Sequence, residues 1–423
     1  MSHRDPAWLA SQRWFRSKQR AIARIIEVDR APLSRRAALV VIRVDYRDGG
    51  LDDRYLVPVV EGDREPVDDD GAWRALAALI VSGATVAGER GRFDATVSAA
   101  APRLLGGSPL DSLAERRLRV EQSNTSVVLG ERLMLKVYRL LEDGENPDVE
   151  VSAFLTAAGF ADTPAVAGSL VYVDDRGVRS TAAMLQAFVP SRGDAWAAML
   201  AAFAADRPST THIASDVGQL TDRLHTALAS IPLDGEFPAR SATGEEVSRW
   251  RASAEQQLAL AVSAVTGAAH ARLTRLASHV LARFAEGFRL AAGTTPVSRI
   301  HGDYHLGQLL ARSDGGYSVI DFEGEPARPL AERRRPTSPL RDVAGMLRSF
   351  DYAARTAAGD AETAASLGEA RAAFLDAYGG PADDALLAAF ELEKACYEVR
   401  YEANNRPDWI SLPLAAVARL VER

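Results

Sequence analysis

One segment constrains this chain more than any other. It reads His301-Gly-Asp303-Tyr-His305-Leu-Gly-Gln308, then Tyr317-Ser-Val-Ile320-Asp321-Phe322-Glu323. Glycines at 302 and 307 break helical continuity, so the first part is a loop. Asp303 precedes the amide of Gln308, and a short apolar hairpin then delivers a second carboxylate, Asp321. One carboxylate can accept the proton of an attacking hydroxyl. An amide oxygen and a second carboxylate can hold magnesium against nucleotide phosphates, and hard oxygen donors suit that ion. This is the layout of an ATP-dependent phosphotransferase. His301 and His305 have a spacing used for zinc on helices. In a glycine-broken loop they read instead as structural.

The remaining parts lie upstream. Of 50 basic residues only Lys18, Lys136 and Lys394 are lysines. A compact ammonium and a planar guanidinium are not interchangeable, so a surviving lysine draws notice. Leu133–Tyr138 (LMLKVY) sets Lys136 on an apolar strand. Asn146-Pro147 starts a helix, with the Asn as cap and the Pro at the first helical position. Glu150 in its first turn is expected to orient Lys136. Gln122-Ser123-Asn124-Thr125-Ser126 lies between two strand-like segments. Its hydroxyls and turn amides offer a cover for phosphates.

With these residues in view, the chain resembles the protein-kinase-like superfamily and its aminoglycoside-phosphotransferase-like branch. It looks most like actinobacterial maltokinases and the related glucosamine kinases. The matching segments are EQSNTSVVLG (121–130), LKVYRLLEDGENPDVEV (135–151), HGDYHLGQLL (301–310), the stretch from VIDFEGE at 319 to SFDYA at 353, and YEVRYEANNRPDW (397–409). The resemblance implies an α+β, bilobal protein-kinase-like fold with an N-terminal α+β cap and a mainly helical C-lobe. It implies ATP and Mg2+ as cofactors and a small-molecule sugar as acceptor. Asp303 would be the catalytic base, and Gln308 and Asp321 the magnesium ligands. Lys136 would contact the phosphates and pair with Glu150. Ser123, Asn124, Thr125 and Ser126 would form the phosphate loop. Met184–Phe188 would be the hinge that meets adenine, with Gln186 and Phe188 at the nucleotide. Asp342 would brace the catalytic loop. Two departures stand out: glutamine at 308 where many kinases carry asparagine, and no GxGxxG loop.

The expected acceptor site lies on the last long helix. Tyr397 and Tyr401 are four apart, as are Glu398 and Glu402, so each pair shares a helix face. Carboxylates beside aromatic rings suit a sugar. The resemblance places acceptor binding here and in the catalytic loop, through Asp303, His305, Glu398, Tyr401, Glu402, Asp408 and Trp409. Glucosamine, giving glucosamine 6-phosphate, is the first expectation, since an acidic face favours a cationic amino sugar. Maltose, giving maltose 1-phosphate, is the alternative. An aminoglycoside acceptor and a non-catalytic ATP-binding role are further alternatives.

The pattern along the chain divides it into a cap at 1–90, a strand-rich nucleotide lobe at 91–190 and a helical C-lobe at 191–423. Strands are expected at Ala23–Asp29, Ala37–Tyr46 and Arg54–Val60, with Pro58 placing the last at an edge. A helix follows at Ala72–Ser82. Ser126–Gly130 and Leu133–Arg139 form a hairpin, and Leu170–Val173 pairs with Thr181–Phe188. Helical spacing runs through Asp194–Ala205, Ser215–Ile231, Thr243–Ala291, Pro339–Tyr352, Ala361–Tyr378 and Ala382–Asn404. The net charge of −7 leaves no basic excess for nucleic acid. Cys396, the single cysteine, excludes an internal disulfide. No apolar run is long enough to span a bilayer, and the N-terminus lacks the apolar core of a signal peptide. A soluble, cytoplasmic protein without membrane or nucleic-acid partners is expected.

Overall fold

The computed structural model describes residues 3–107, 109–118, 123–205, 207–230, 240–326, 328–357, 361–380 and 383–422. The chain divides into two compact units. One runs through Pro190 and includes 328–332. The other holds 191–327 and 333–423.

The first unit opens with helix α1 (Pro6–Ser11) and an antiparallel sheet of β1 (Ile22–Pro32), β2 (Ala37–Tyr46) and β3 (Asp53–Val60), in that order. Strand β3 carries Pro58 at the sheet's edge, where a missing N–H costs least. Strand β2 is nearly continuous in apolar residues because both its faces are covered. Val40, Ile42 and Val44 pack with Trp14, Phe15 and Tyr55. Leu39 and Val41 point the other way, to Leu56, Trp73 and Ile80. Alternate side chains of a strand leave opposite faces, so one strand serves two cores.

Helix α2 (Ala72–Ser82) leads to β4 (Thr85–Ala87), β5 (Arg92–Val97), α3 (Ala101–Leu105), β6 (Glu115–Arg117), β7 (Asn124–Leu129) and β8 (Leu133–Tyr138). Helix α4 (Pro147–Ala157), β9 (Val166–Val173) and β10 (Arg179–Ala187) complete the unit. Seven strands form one sheet in the order β4-β5-β9-β10-β8-β7-β6. Its inner face shares the core of β2 and α2. Phe93, Val127, Leu135, Val137, Leu170 and Leu185 lie in the same buried cluster as Leu39, Leu56 and Trp73.

The second unit contains a small sheet of β11 (Ser191–Asp194), β14 (Leu309–Arg312) and β15 (Tyr317–Val319), and a two-stranded pair, β12 (Arg240–Ser241) and β13 (Pro296–Val297). The rest is helical. α5 (Ala195–Ala205), α6 (Arg207–Leu228), α7 (Gly244–Ala264) and α8 (Gly267–Gly287) precede the small sheet's hairpin. After it come α9 (Leu330–Arg333), which begins in the first unit, then α10 (Leu340–Ala357), α11 (Ala361–Ala377), α12 (Asp384–Asn405) and α13 (Ser411–Glu422). The periodic stretch 243–291 is two helices rather than one, broken at Val265-Thr266. No helix among the described residues is long and apolar enough to cross a membrane.

Candidate active site

The loop that carries Asp303 is held by buried groups on every side. Gly302 has φ +86°, a region that L side chains avoid. A side chain there would meet Gly324 Cα at 3.1 Å, so two loop backbones touch. Asp342, in the first turn of α10, accepts the His301 N–H at 2.8 Å and the Gly302 N–H at 2.9 Å. Burial works to raise the Asp342 carboxyl, but the His225 ring and the Gly302 N–H outweigh it and hold it below the ordinary range. Gly345, one turn further along α10, lets the helix approach the Tyr304 carbonyl; a Cβ there would lie 2.7 Å from that oxygen.

His301 is a staple. Its Nε2 donates to the Ile320 carbonyl at 2.9 Å, its Nδ1 accepts the Asp303 N–H at 3.3 Å, and its ring packs on Tyr304 and Phe322. Both nitrogens are spent, as a structural rather than zinc-binding histidine requires. His305 caps a 3-10 turn (Leu306–Gln308) through Nδ1, which accepts the Gly307 N–H at 3.0 Å. Burial lowers its pKa. Asp303 itself remains accessible, with 27 % of its side chain exposed.

The β14–β15 hairpin pairs Leu309 with Val319, and the Ile320 N–H donates to the Gln308 carbonyl at 3.0 Å. This register sets Asp321 beside Gln308, whose amide nitrogen donates to Asp321 Oδ2 at 3.2 Å. Asp321 has φ +68°, a strained conformation for a residue with a Cβ. Two oxygen-bearing side chains at this separation fit a hard divalent cation once the amide turns its oxygen inward.

In the first unit, Lys136 on β8 is 7 % exposed and stands opposite Ser126 on β7 and Met184 on β10. Directly opposed residues of antiparallel strands share a face. Asn124 and Tyr138 are likewise opposed, so Asn124, Ser126, Lys136, Tyr138 and Met184 line one face. Lys136 Nζ donates to Asp148 Oδ2 at 2.8 Å, and the Tyr138 hydroxyl donates to the same oxygen at 2.8 Å. The carboxylate beside Lys136 is therefore Asp148, where the sequence suggested Glu150. Asn146 caps α4 by accepting the Asp148 N–H, which sets the second helical residue toward the strand lysine. Glu150 lies half-buried two residues on, about 200° further around the axis.

Two other expectations change. Asn124–Ser126 belong to strand β7 rather than to a turn, and Thr125 and Ser126 are buried. The Thr125 hydroxyl accepts from Arg139 Nε at 2.8 Å, on the face away from Lys136. Of the expected loop, Ser123 precedes the strand and Gln122 lies outside the described residues. Gln186 is buried at the end of β10. The Ala187 and Phe188 N–H groups donate to the Ala165 and Arg132 carbonyls at 2.8 Å each.

The acceptor helix differs most from the sequence reading. Glu398 and Glu402 are buried and paired within the protein. Glu398 accepts from Arg348 Nε at 2.9 Å and Nη2 at 2.6 Å. Glu402, 1 % exposed, accepts from the Tyr352 hydroxyl and from Arg406. Buried carboxylates persist where arginines on neighbouring elements neutralise them, and Arg348 on α10 does this for Glu398. Toward its end, α12 presents an aromatic pair outward. Tyr401 is 44 % exposed and stacks with Tyr397 at 6.2 Å. Arg406 lies over the rings of Tyr401 and Trp409, while Asp408 is exposed.

On the same helix Lys394 Nζ lies 3.4 Å from Asp303 Oδ1 and 4.9 Å from the Tyr397 ring. Burial opposes its charge, yet the Asp303 and Glu325 carboxylates more than compensate and raise its pKa above the usual lysine value. Asp148 and the Lys394–Asp303 pair are the two features that the sequence did not disclose. The Asn-Pro-Asp order pointed to the first, and the rarity of lysine to the second.

Known proteins are similar to this chain over most of its length. Residues 115–390 match the model of the APH phosphotransferase enzyme family, and residues 8–96 match the maltokinase N-terminal cap domain. A glucosamine kinase of Streptacidiphilus jiangxiensis is 31% identical over 389 residues, covering 85% of this chain and 84% of the relative. One of Mycolicibacterium smegmatis is 28% identical over 345 residues, covering 75% and 82%. A solved glucosamine kinase in complex with glucosamine, ADP and inorganic phosphate superposes with a TM-score of 0.75 at 26% identity, over 99% of this chain and 97% of that one. The fold is kinase-like, and the chain belongs to the APH phosphotransferase enzyme family.

Proposed function

We propose that this protein is an ATP- and magnesium-dependent sugar kinase whose acceptor is glucosamine, giving glucosamine 6-phosphate. The observation that carries the acceptor is likeness over nearly the full chain to a glucosamine kinase whose structure holds glucosamine and ADP. Residues 1–90 act as a cap, 91–190 as the nucleotide lobe and 191–423 as the lobe of catalysis and acceptor binding.

Asp303 orients the acceptor hydroxyl and takes its proton as the phosphoryl group transfers. Lys136, oriented by Asp148, grips nucleotide phosphates, with Ser123, Asn124 and Ser126 beside it. Gln186 and Phe188 border the adenine. Gln308 and Asp321 would hold magnesium, whose charge would offset that developing on the phosphates. The acceptor meets Asp303 and His305, and the outer rings of Tyr401 and Trp409 with Asp408.

Two observations favour maltose as a second reading. The Lys394 ammonium beside Asp303 repels a protonated amino sugar and donates well to a neutral one, and the maltokinase cap match points the same way. An ADP-release assay with magnesium, across glucosamine, maltose and aminoglycosides, tests the proposal. Glucosamine turnover with the highest kcat/KM is the expected result. A higher value for maltose moves the acceptor to the second reading. ATP binding without turnover on any acceptor overturns the kinase reading.

A further inference from the structure

Behind the catalytic loop lies a buried polar chain that phosphoryl transfer does not itself demand. His225, on α6, lies 3.2 Å through Nε2 from Asp342 Oδ2. Its Nδ1 lies 3.0 Å from the Tyr378 hydroxyl, just past the end of α11. Asp342 in turn holds the His301 and Gly302 N–H groups immediately before Asp303. A carboxylate only accepts, so Nε2 must carry the hydrogen that points at Asp342. In the neutral imidazole, Nδ1 then accepts from Tyr378. The carboxylate thus fixes the tautomer and the hydroxyl completes it, as an orienting partner does for a catalytic or metal-bound histidine.

The packing around this chain is tight. The His225 and Tyr378 rings meet edge to face at 5.6 Å, and Tyr378 stacks on Phe374. Gly218 lets α6 approach α11 so closely that a Cβ there would lie 2.4 Å from the Phe374 carbonyl. One turn before His225, the Thr221 hydroxyl meets the Tyr304 hydroxyl at 3.0 Å. Thr221 and His225 share a helix face, so α6 touches the catalytic loop directly and through Asp342.

We infer that His225 and Tyr378 are positioning residues: together they lock the Asp342 carboxylate, and through it the backbone that aims Asp303 at the acceptor hydroxyl. Without the His225 donor, Asp342 can rotate between its two backbone partners, and Gly302 gives that rotation nothing to resist. A displacement of about an ångström at a reacting group can cost a hundredfold in rate. Lys136 and Asp148, which grip the phosphates in the proposed function, lie in the other unit, so the loss falls on kcat before nucleotide affinity.

The inference rests on the kinase reading for its rate, but not for its geometry, so two readouts are needed. Three variants serve: His225→Ala, His225→Asn, which restores a donor, and Tyr378→Phe, which removes one hydroxyl and leaves the ring. His212→Ala, an exposed histidine on the same helix, is the control. The expected kcat, per folded molecule by thermal melting, falls about tenfold or more in His225→Ala, as for lost orienting partners elsewhere. It recovers in part in His225→Asn and falls a few fold in Tyr378→Phe. KM for ATP stays within twofold throughout. Hydrogen exchange at the 301–302 amides accelerates in the same order. Wild-type kcat in both His225→Ala and Tyr378→Phe overturns the inference, as does a KM for ATP that rises in step with any fall in kcat. A wild-type protein that phosphorylates no sugar overturns the kinase reading instead, and amide protection then decides the positioning: unchanged exchange in both variants overturns it.

Discussion

Asp303 and Lys394 form the pair on which the proposed chemistry turns. Asp303→Asn keeps the shape and removes the proposed proton acceptor. Since general-base catalysis contributes about 10²–10⁴-fold, kcat should fall by at least ~100-fold with little change in KM for ATP. Steady-state kinetics on the variant check this. Lys394 tests the acceptor. A unit charge at roughly 6 Å in an effective dielectric near 20 is worth about 3 kcal/mol before screening, and about 1 kcal/mol after it. Lys394→Gln should therefore raise the ratio of kcat/KM for glucosamine to that for maltose about fivefold. An unchanged ratio would mean that the ammonium does not see the sugar's amino group. Lys136 shows why residue types can be legible where partners are not. Its strand and chemistry follow from LMLKVY. The choice of Asp148 over Glu150 depends on the phase of α4, and that phase is set by the Asn146 cap.

At the scale of elements, short-range patterns survived folding, and of the long-range ones chiefly the Asp342 brace did. The catalytic loop and its hairpin were readable because their geometry is closed within about two dozen residues. The strands β2 and β3 and helix α2 lie where the alternation placed them. The α7–α8 break carries one local signal, Gly267 at φ +58°, which the apolar spacing running on across it masked. The Glu398 and Glu402 row was misread for another reason. A helix face reveals its own spacing, not the Arg348 and Tyr352 side chains that α10 brings to it. Glu398→Gln should accordingly act on stability. Arg348 keeps Asp351 but loses its other carboxylate, and breaking a buried pair costs about 3 kcal/mol. Urea unfolding should show this, with acceptor kcat/KM within about twofold of wild type; a large acceptor effect would restore the ligand role. Helix α7 has its own pH dependence. Arg240 and the Thr243 groups of a capping box lower Glu246 to about 2 from an ordinary 4.5. A depressed carboxyl stabilises the fold above its unfolded pKa and loses that contribution as pH falls. Amide protection at the start of α7 should thus decline between about 4.5 and about 2, and Glu246→Gln should flatten that decline.

For the whole molecule, the informative question is whether the cap is an attachment or part of a core. Residues 8–96 match a domain model of their own, and the start of the chain reads as a module. Their packing says otherwise. Leu39, Val41, Leu56, Trp73, Leu76 and Ile80 are buried in one cluster with Val127, Leu135, Val137, Leu170 and Leu185 of the seven-stranded sheet. Fully burying each large apolar side chain contributes about 1.5–3 kcal/mol. Losing six removes on the order of 10 kcal/mol, comparable with the whole stability of a domain at about 5–15 kcal/mol. The polar ties run the same way. Asp29 on β1 accepts the Tyr172 hydroxyl at 2.9 Å, and the buried Arg139 guanidinium is held by Glu65 and lies over Trp14. Deletion would leave that guanidinium without its carboxylate beside Thr125 on β7, the strand facing Lys136. A chain beginning at residue 91 should therefore fail to melt cooperatively and should accumulate as insoluble protein. Calorimetry on any soluble fraction decides the matter: a single sharp transition with wild-type ATP affinity would mean that the sheet carries the nucleotide site without the cap's half of the core.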